Sequence, residues 1–192
     1  MLGSRRRRTV ALATMTLLVI CFAVAAGLLA ASGGPGGEPN RPTATLAVFD
    51  GAGPTAAQLR LPRLGGGHFS LAILGHGPFV VNFFASWCHA CQAELSAVAA
   101  VARQHHVAFY GVDTNETSFS AARHLLKESG ARYPVGIGGT APAFEYRDDS
   151  GLPATGFVDA KGHLVGEAFG AVTESELAGW VAELDSGRRL TP

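Results

Sequence analysis

An uncharged, almost wholly apolar run from Thr9 to Ala31 contrasts with the short, interrupted apolar segments that follow Ala44. As a helix, roughly 23 residues span about 35 Å, against a bilayer core of about 30 Å. Arg5, Arg6, Arg7 and Arg8 precede the run, and the positive-inside rule would keep that end in the cytoplasm and export the rest. The pattern therefore predicts a cytoplasmic basic segment at 1–8 and a transmembrane anchor, or a signal peptide, at 9–31. Ala23-Val24-Ala25 supplies the small-residue cleavage pattern of a signal peptide. Residues 32–45 hold glycines and prolines with few apolar side chains, the composition of a flexible linker. Residues 46–187 then read as one domain, and 188–192 as a tail.

Within the domain the periodicity alternates between strand and helix. Ala44 to Phe49 and Leu59 to Leu64 read as short strands, followed by a Gly65-Gly66-Gly67 turn. His68 to Leu71 read as the entry to a loop. Phe79 to Phe84 form an apolar run suited to a central strand buried on both faces. Helical spacing runs from Cys88 to Gln104, with Leu95, Val98 and Val101 on the core side. Val107 to Val112 predict a strand, and Ser118 to Ser129 a helix stopped by Gly130. Ala154 to Val158 and Leu164 to Phe169 read as a hairpin, and Thr173 with Glu176 as a capping box opening a last helix. The order implies an α/β domain, a mixed sheet covered by helices on both faces.

Composition narrows the function. The 15 basic and 15 acidic residues balance, and the body has no basic stripe, which argues against a nucleic-acid partner. Every acidic residue lies beyond the apolar run, so the exported part is mildly acidic. Three cysteines are too few for a disulfide-stapled scaffold. Cys21 belongs to the apolar run and reads as an ordinary apolar-helix residue.

The other two cysteines carry the chemistry. Trp87-Cys88-His89-Ala90-Cys91 follows the buried strand and opens a helix. Cys88 falls at the helix N-terminus, where unpaired N–H groups and the helix dipole favour a thiolate. Cys91 lies one turn on, placed to resolve a mixed disulfide formed at Cys88. A zinc site would need four ligands, and no second such pair exists. Haem attachment would need histidine where Gln92 stands.

Val80 to Glu94, together with Leu152-Pro153-Ala154-Thr155-Gly156-Phe157-Val158-Asp159 and Gly162, resemble the TlpA/ResA-like branch of the thioredoxin superfamily. These are extracytoplasmic, usually membrane-anchored thiol-disulfide oxidoreductases. The resemblance implies a thioredoxin-like fold with an extra N-terminal β-hairpin and an insertion ahead of the proline loop. It implies Cys88 as nucleophile, Cys91 as resolving residue, a Cys88–Cys91 disulfide and Pro153 as a cis-proline. Leu152, Ala154 and Thr155 would border the substrate groove. Glu94 matches a glutamate of the branch and is a candidate proton acceptor. Asn82 stands where cytoplasmic thioredoxin carries a buried aspartate.

Trp87, His89, Ala90 and Asn82 are expected to tune the pair; a protonated His89 would favour the Cys88 thiolate. Ser96 replaces a proline that often kinks the first helix in this branch, so a straighter helix is expected. No metal and no organic cofactor are implied, since the electrons reside in the cysteine pair. The expected partners are protein thiols and disulfides, apocytochrome c among them, and a membrane electron donor or acceptor protein. Function is expected in disulfide formation or reduction, or in cytochrome c maturation. Two other readings use the same cysteines: a Cu(I)-binding metallochaperone-like module and a thiol peroxidase.

Overall fold

A computed structural model describes residues 44–49, 60–70, 77–138 and 151–192. The basic segment 1–8, the run 9–31, Cys21 and nearly all of the linker lie outside the described residues.

Eight strands and three helices are described. The strands are β1 (Thr45–Val48), β2 (Arg60–Pro62), β3 (His68–Ser70), β4 (Phe79–Phe84), β5 (Ala108–Thr114), β6 (Val135–Gly138), β7 (Ala154–Val158) and β8 (Leu164–Phe169). The helices are α1 (His89–Gln104), α2 (Phe119–Ser129) and α3 (Glu174–Asp185). Six strands form one mixed sheet in the order β1-β8-β7-β4-β5-β6. β4, β5 and β6 run parallel, while β7 is antiparallel to β4 and β8 to β7. Every residue of β4 is buried, as its uniformly apolar sequence requires.

Alternation along β4 puts Val80, Asn82 and Phe84 on one face and Phe79, Val81 and Phe83 on the other. The first face meets the helices: Val80 packs with Val98, Val101, Leu177 and Trp180, and Phe84 with Cys91, Leu95 and Ala122. The second face, with Tyr110, Val112 and Val158, is covered among the described residues by Leu61, Phe49, Leu152 and Phe169. Helices on both faces were expected, but all three described helices lie on one. The parallel steps β4-α1-β5 and β5-α2-β6 move in the same direction across the sheet. Right-handed crossovers then place both helices on the same side.

The extra N-terminal hairpin that the resemblance implied is present. β2 pairs with β3 in a separate two-stranded sheet. Its turn needs glycine, because Gly66 and Gly67 have φ of 96° and 78°. β1 instead pairs with β8 at the edge of the main sheet. Two elements were not anticipated, β3 and β6; β6 is short and half glycine, Val-Gly-Ile-Gly. The expected transmembrane helix is corrected: no helix among the described residues is long and apolar enough to cross a membrane.

The helix ends follow local chemistry. Ser118 caps α2, and Gly130 ends it in the left-handed conformation at φ 74°. Thr173 and Glu176 form a complete capping box at α3. The tail packs back: Leu190 is buried in the core, and Trp180 Nε1 donates to Thr191 O at 2.9 Å.

Candidate active site

The buried strand β4 ends at Phe84, and four residues later the chain enters α1. Cys88 is the N-cap of that helix, with extended φ and ψ of −84° and 108°. Its sulfur accepts a hydrogen bond from Cys91 N at 3.1 Å, so it occupies the position where α1's unpaired N–H groups converge. Cys88 and Cys91 are joined in a disulfide, with Cα atoms 5.2 Å apart. Cys88 is 7% exposed and Cys91 is 0% exposed. An incoming thiolate therefore reaches the Cys88 sulfur first.

Glu94 sits one further turn along the buried side of α1 and is 1% exposed. Asn82 Nδ2 donates to Glu94 Oε1 at 2.8 Å and to Thr155 Oγ1 at 3.1 Å. Val172 N donates to Glu94 Oε2 at 2.9 Å. Burial raises the Glu94 pKa to about 7, against the lowering effect of the bonds from Val172 and Asn82. The carboxyl is thus poised to hold or give up a proton near neutrality.

Sheet topology brings the second part of the site to the first. Antiparallel pairing sets Phe83 of β4 opposite Ala154 of β7. The residues after β4 and those before β7 therefore meet at one end of the sheet. The Leu152–Pro153 bond is cis. Leu152 packs against the group that contains both cysteines, and Pro153 O accepts from Gly170 N at 3.0 Å. Ala154 and Thr155 are buried. The Thr155 hydroxyl is turned inward to Asn82, so this side chain belongs to the buried network with Glu94.

Of the expected tuning residues, Asn82 is buried in that network and Trp87 is 51% exposed beside Cys88. Trp87 Nε1 donates to Asn115 O at 3.0 Å. His89 is exposed, and Ala90 packs partly buried against the cysteine group.

Sequence reasoning missed a polar turn behind the motif. Asp113-Thr114-Asn115-Glu116 ends β5 and leads toward α2. Glu116 accepts bonds from both the backbone and the side chain of Ser86. Asp113, three residues before it, is buried, and neither carboxyl oxygen finds a hydrogen-bond partner among the described residues. Burial, then the Glu116 charge, push its pKa up to about 7. Tyr133 is partly buried on this face with its hydroxyl inside; burial, then the Glu94 charge, hold that hydroxyl well above the ordinary range. A run of polar residues directly after a buried strand was the available signal.

The comparisons agree with this geometry. The AhpC/TSA family pattern matches residues 52–178. The thiol-disulfide oxidoreductase ResA of Bacillus thuringiensis is 24% identical over 113 residues, covering 57% of this chain and 64% of that protein. The chain thus spans less than two thirds of the length of the curated relatives it matches. Among solved structures, a secreted Mycobacterium tuberculosis disulfide oxidoreductase, described as homologous to Escherichia coli DsbE, is 25% identical. Its TM-score is 0.59, with 67% of this chain and 98% of that one covered. Mycobacterium tuberculosis DsbF is 26% identical with a TM-score of 0.60, covering 69% of this chain and 98% of that one. A secreted thiol-disulfide isomerase from Corynebacterium glutamicum, at 14% identity and a TM-score of 0.64, covers 80% of this chain and 96% of its own and shares the fold.

The expected single-pass anchored topology is corrected as far as the described residues go: none of their helices is long and apolar enough to cross a membrane, and the Mycobacterium tuberculosis and Corynebacterium glutamicum proteins are described as secreted, while the run 9–31 lies outside the described residues. The family match over most of the domain, the thioredoxin-like sheet and the Cys88–Cys91 pair lead to one assignment. The chain belongs to the AhpC/TSA family, with a thioredoxin-like fold, and is similar to the ResA/DsbE/DsbF-like thiol-disulfide oxidoreductases.

Proposed function

We propose that this protein exchanges thiols and disulfides with protein substrates outside the cytoplasm, through Cys88 as the attacked and attacking sulfur. One observation carries the reading: a disulfide whose outer sulfur caps a helix and whose inner sulfur is wholly buried, one turn before a carboxyl of pKa about 7.

In the oxidising direction a substrate thiolate attacks Cys88 Sγ, and the Cys88–Cys91 bond breaks. Cys91 leaves as a thiolate and takes a proton for which Glu94 is the nearest internal source. A second substrate thiolate then attacks the mixed disulfide at the substrate sulfur, releasing Cys88. Two electrons have moved from substrate to the pair, and the substrate carries a new disulfide. The reductive direction runs the same steps backwards, with Glu94 accepting the Cys91 proton. Asn82 and Val172 N hold the Glu94 carboxyl in place for either direction. The loop from Leu152 to Ala154 is the proposed groove wall, supported by its packing against the cysteine group.

The narrower substrate proposed is apocytochrome c, with a membrane redox protein as the electron partner; resemblance to the TlpA/ResA branch supports it. Disulfide couples on this fold span about −270 to −120 mV, roughly 7 kcal/mol for two electrons.

Cys88→Ser is expected to abolish exchange, and Cys91→Ser to trap mixed disulfides through Cys88 that dithiothreitol releases. Non-reducing electrophoresis followed by mass spectrometry reads both. Full activity in either variant defeats the proposal. The couple's potential against glutathione then fixes direction: below about −250 mV marks a reductant, above about −180 mV an oxidant.

A further inference from the structure

Glu116 makes an unusual number of contacts for a side chain outside the cysteine motif. Its Oε2 accepts from Ser86 N at 2.7 Å, and its Oε1 from Ser86 Oγ at 2.9 Å. Oε1 also accepts from Thr117 N at 2.7 Å and from Ser118 N at 2.8 Å. One carboxylate therefore ties together the segment leading into Cys88 and the segment capping α2. The tie is reinforced on both sides. Gln92 Nε2 donates to Ser86 O at 2.6 Å, and Trp87 Nε1 to Asn115 O at 3.0 Å. Asn115 takes a left-handed φ of 52°, which turns the chain so that its carbonyl meets Trp87 while the next residue meets Ser86.

Partial burial works against ionisation of Glu116, but the bonds from Ser86, Ser118 and Thr117 outweigh it and hold its pKa below the ordinary range. A full negative charge thus sits on the N–H and hydroxyl of Ser86, two residues before Cys88. It opposes the effect of the helix N-terminus there.

We infer that Glu116 is a positioning residue for disulfide exchange: its carboxylate fixes the Ser86–Trp87 turn that presents Cys88, and its charge holds back the Cys88 thiolate. The inference rests on the exchange activity proposed above and adds a residue that sets its driving force. A thiolate disfavoured at Cys88 makes the dithiol less stable and the pair more reducing.

The test uses the full chain as wild type, Glu116→Gln, Glu116→Asp and Ser86→Ala. Each is equilibrated with glutathione, and the pH dependence of Cys88 alkylation is followed after reduction. Glu116→Gln removes the charge and is expected to shift the equilibrium about threefold toward the dithiol, about 15 mV at roughly 30 mV per tenfold. Its Cys88 alkylation profile should move to lower pH. Glu116→Asp keeps the charge but draws it back from Ser86. Its equilibrium should stay near wild type, while acrylamide quenching of the exposed Trp87 increases.

Ser86→Ala keeps Glu116 and removes one donor that dampens its charge, so it should shift the equilibrium toward the disulfide; this arm also decides the matter if Glu116→Gln does not fold. A folded Glu116→Gln with wild-type equilibrium and alkylation profile overturns the inference. So does a Ser86→Ala equilibrium that is unshifted or moves toward the dithiol. Wild-type protein that fails to exchange with glutathione defeats the activity reading itself. An exchanging wild type with unshifted variants defeats only the role of Glu116.

Discussion

Glu94 shows how much a single side chain changes meaning between sequence and structure. On the helix sequence it reads equally as a solvated first-turn acid or as a proton carrier, because a helix position alone does not say what covers it. Its burial, and its bonds to Asn82 and Val172 N, come from β4 and from the segment before α3. Residues far apart in the chain decide the matter, so no local pattern could. The raised pKa has a signed consequence for stability. Glu94 is raised from 4.5 to about 7, and Asp113 from 3.8 to about 7. Between those limits the folded chain keeps protons that the unfolded chain releases. These groups therefore favour the fold fully below about pH 4, and the benefit is lost as pH rises through about 7. Glu116, lowered, acts the opposite way but only below its ordinary range. For Glu94 alone the change is on the order of 3 kcal/mol. Urea unfolding of the oxidised protein should show stability falling from pH 4.5 to 7. Glu94→Gln should flatten that fall by about one proton's worth, and should slow exchange roughly a hundredfold. Parallel profiles for the two proteins would remove Glu94 from this account.

At the scale of elements, the legible parts were those with strong local chemistry. The β4 run, the start of α1 at Cys88, the Gly130 stop and the Thr173–Glu176 box are all written in a few neighbouring residues. The elements that escaped are weak by the same measure. β6 is Val-Gly-Ile-Gly, with little intrinsic strand preference. It exists because β5 offers an edge and Arg63 and Leu64 of the hairpin segment contact it through Gly136 and Val135. β1 pairs with β8 rather than with β2, its neighbour in sequence. Sequence adjacency favours a hairpin only when the connection is short, and some eleven residues separate β1 from β2. The cap at α3 offers a test that separates fold from chemistry. Thr173 Oγ1 accepts from Glu176 N at 3.2 Å and donates to Glu176 Oε2 at 2.7 Å. Thr173→Ala should cost about 1 kcal/mol, read as a lower urea midpoint at unchanged slope. The Cys88–Cys91 potential should stay in place, because the cysteines cap a different helix. A shifted potential would mean that α3 reaches the site through its entry residue Val172, which holds Glu94.

Over the whole molecule, the buried side chains divide into three groups: one beneath α1 and α3, one on the opposite sheet face, and one around the cysteines. The division explains why the site was more legible than the fold. The cysteine pair and the proline loop each announce themselves locally, and antiparallel pairing of β4 with β7 is enough to join them. How the rest of the chain closes around the sheet depends on long-range contacts, and the C-terminus is an example. Residues 188–192 read as a tail, being short, charged and close to the end. Leu190 is nevertheless 2% exposed within the first group, beside Gly166, where an added Cβ would lie 2.6 Å from its Cδ1. Thr191 secures it by accepting from Trp180 and by donating to Glu183 through backbone N and Oγ1 at 2.9 and 2.7 Å. Removing residues 188–192 uncovers Trp180 and Leu184 and gives up the burial of Leu190. We expect a loss of about 3 kcal/mol, measured by urea unfolding with the disulfide intact. Because Leu190 shares no buried group with Cys88 or Cys91, the shortened protein should keep the full-length potential against glutathione. A potential that moves with the tail would show that the group under α1 and α3 and the group around the cysteines act as a single core.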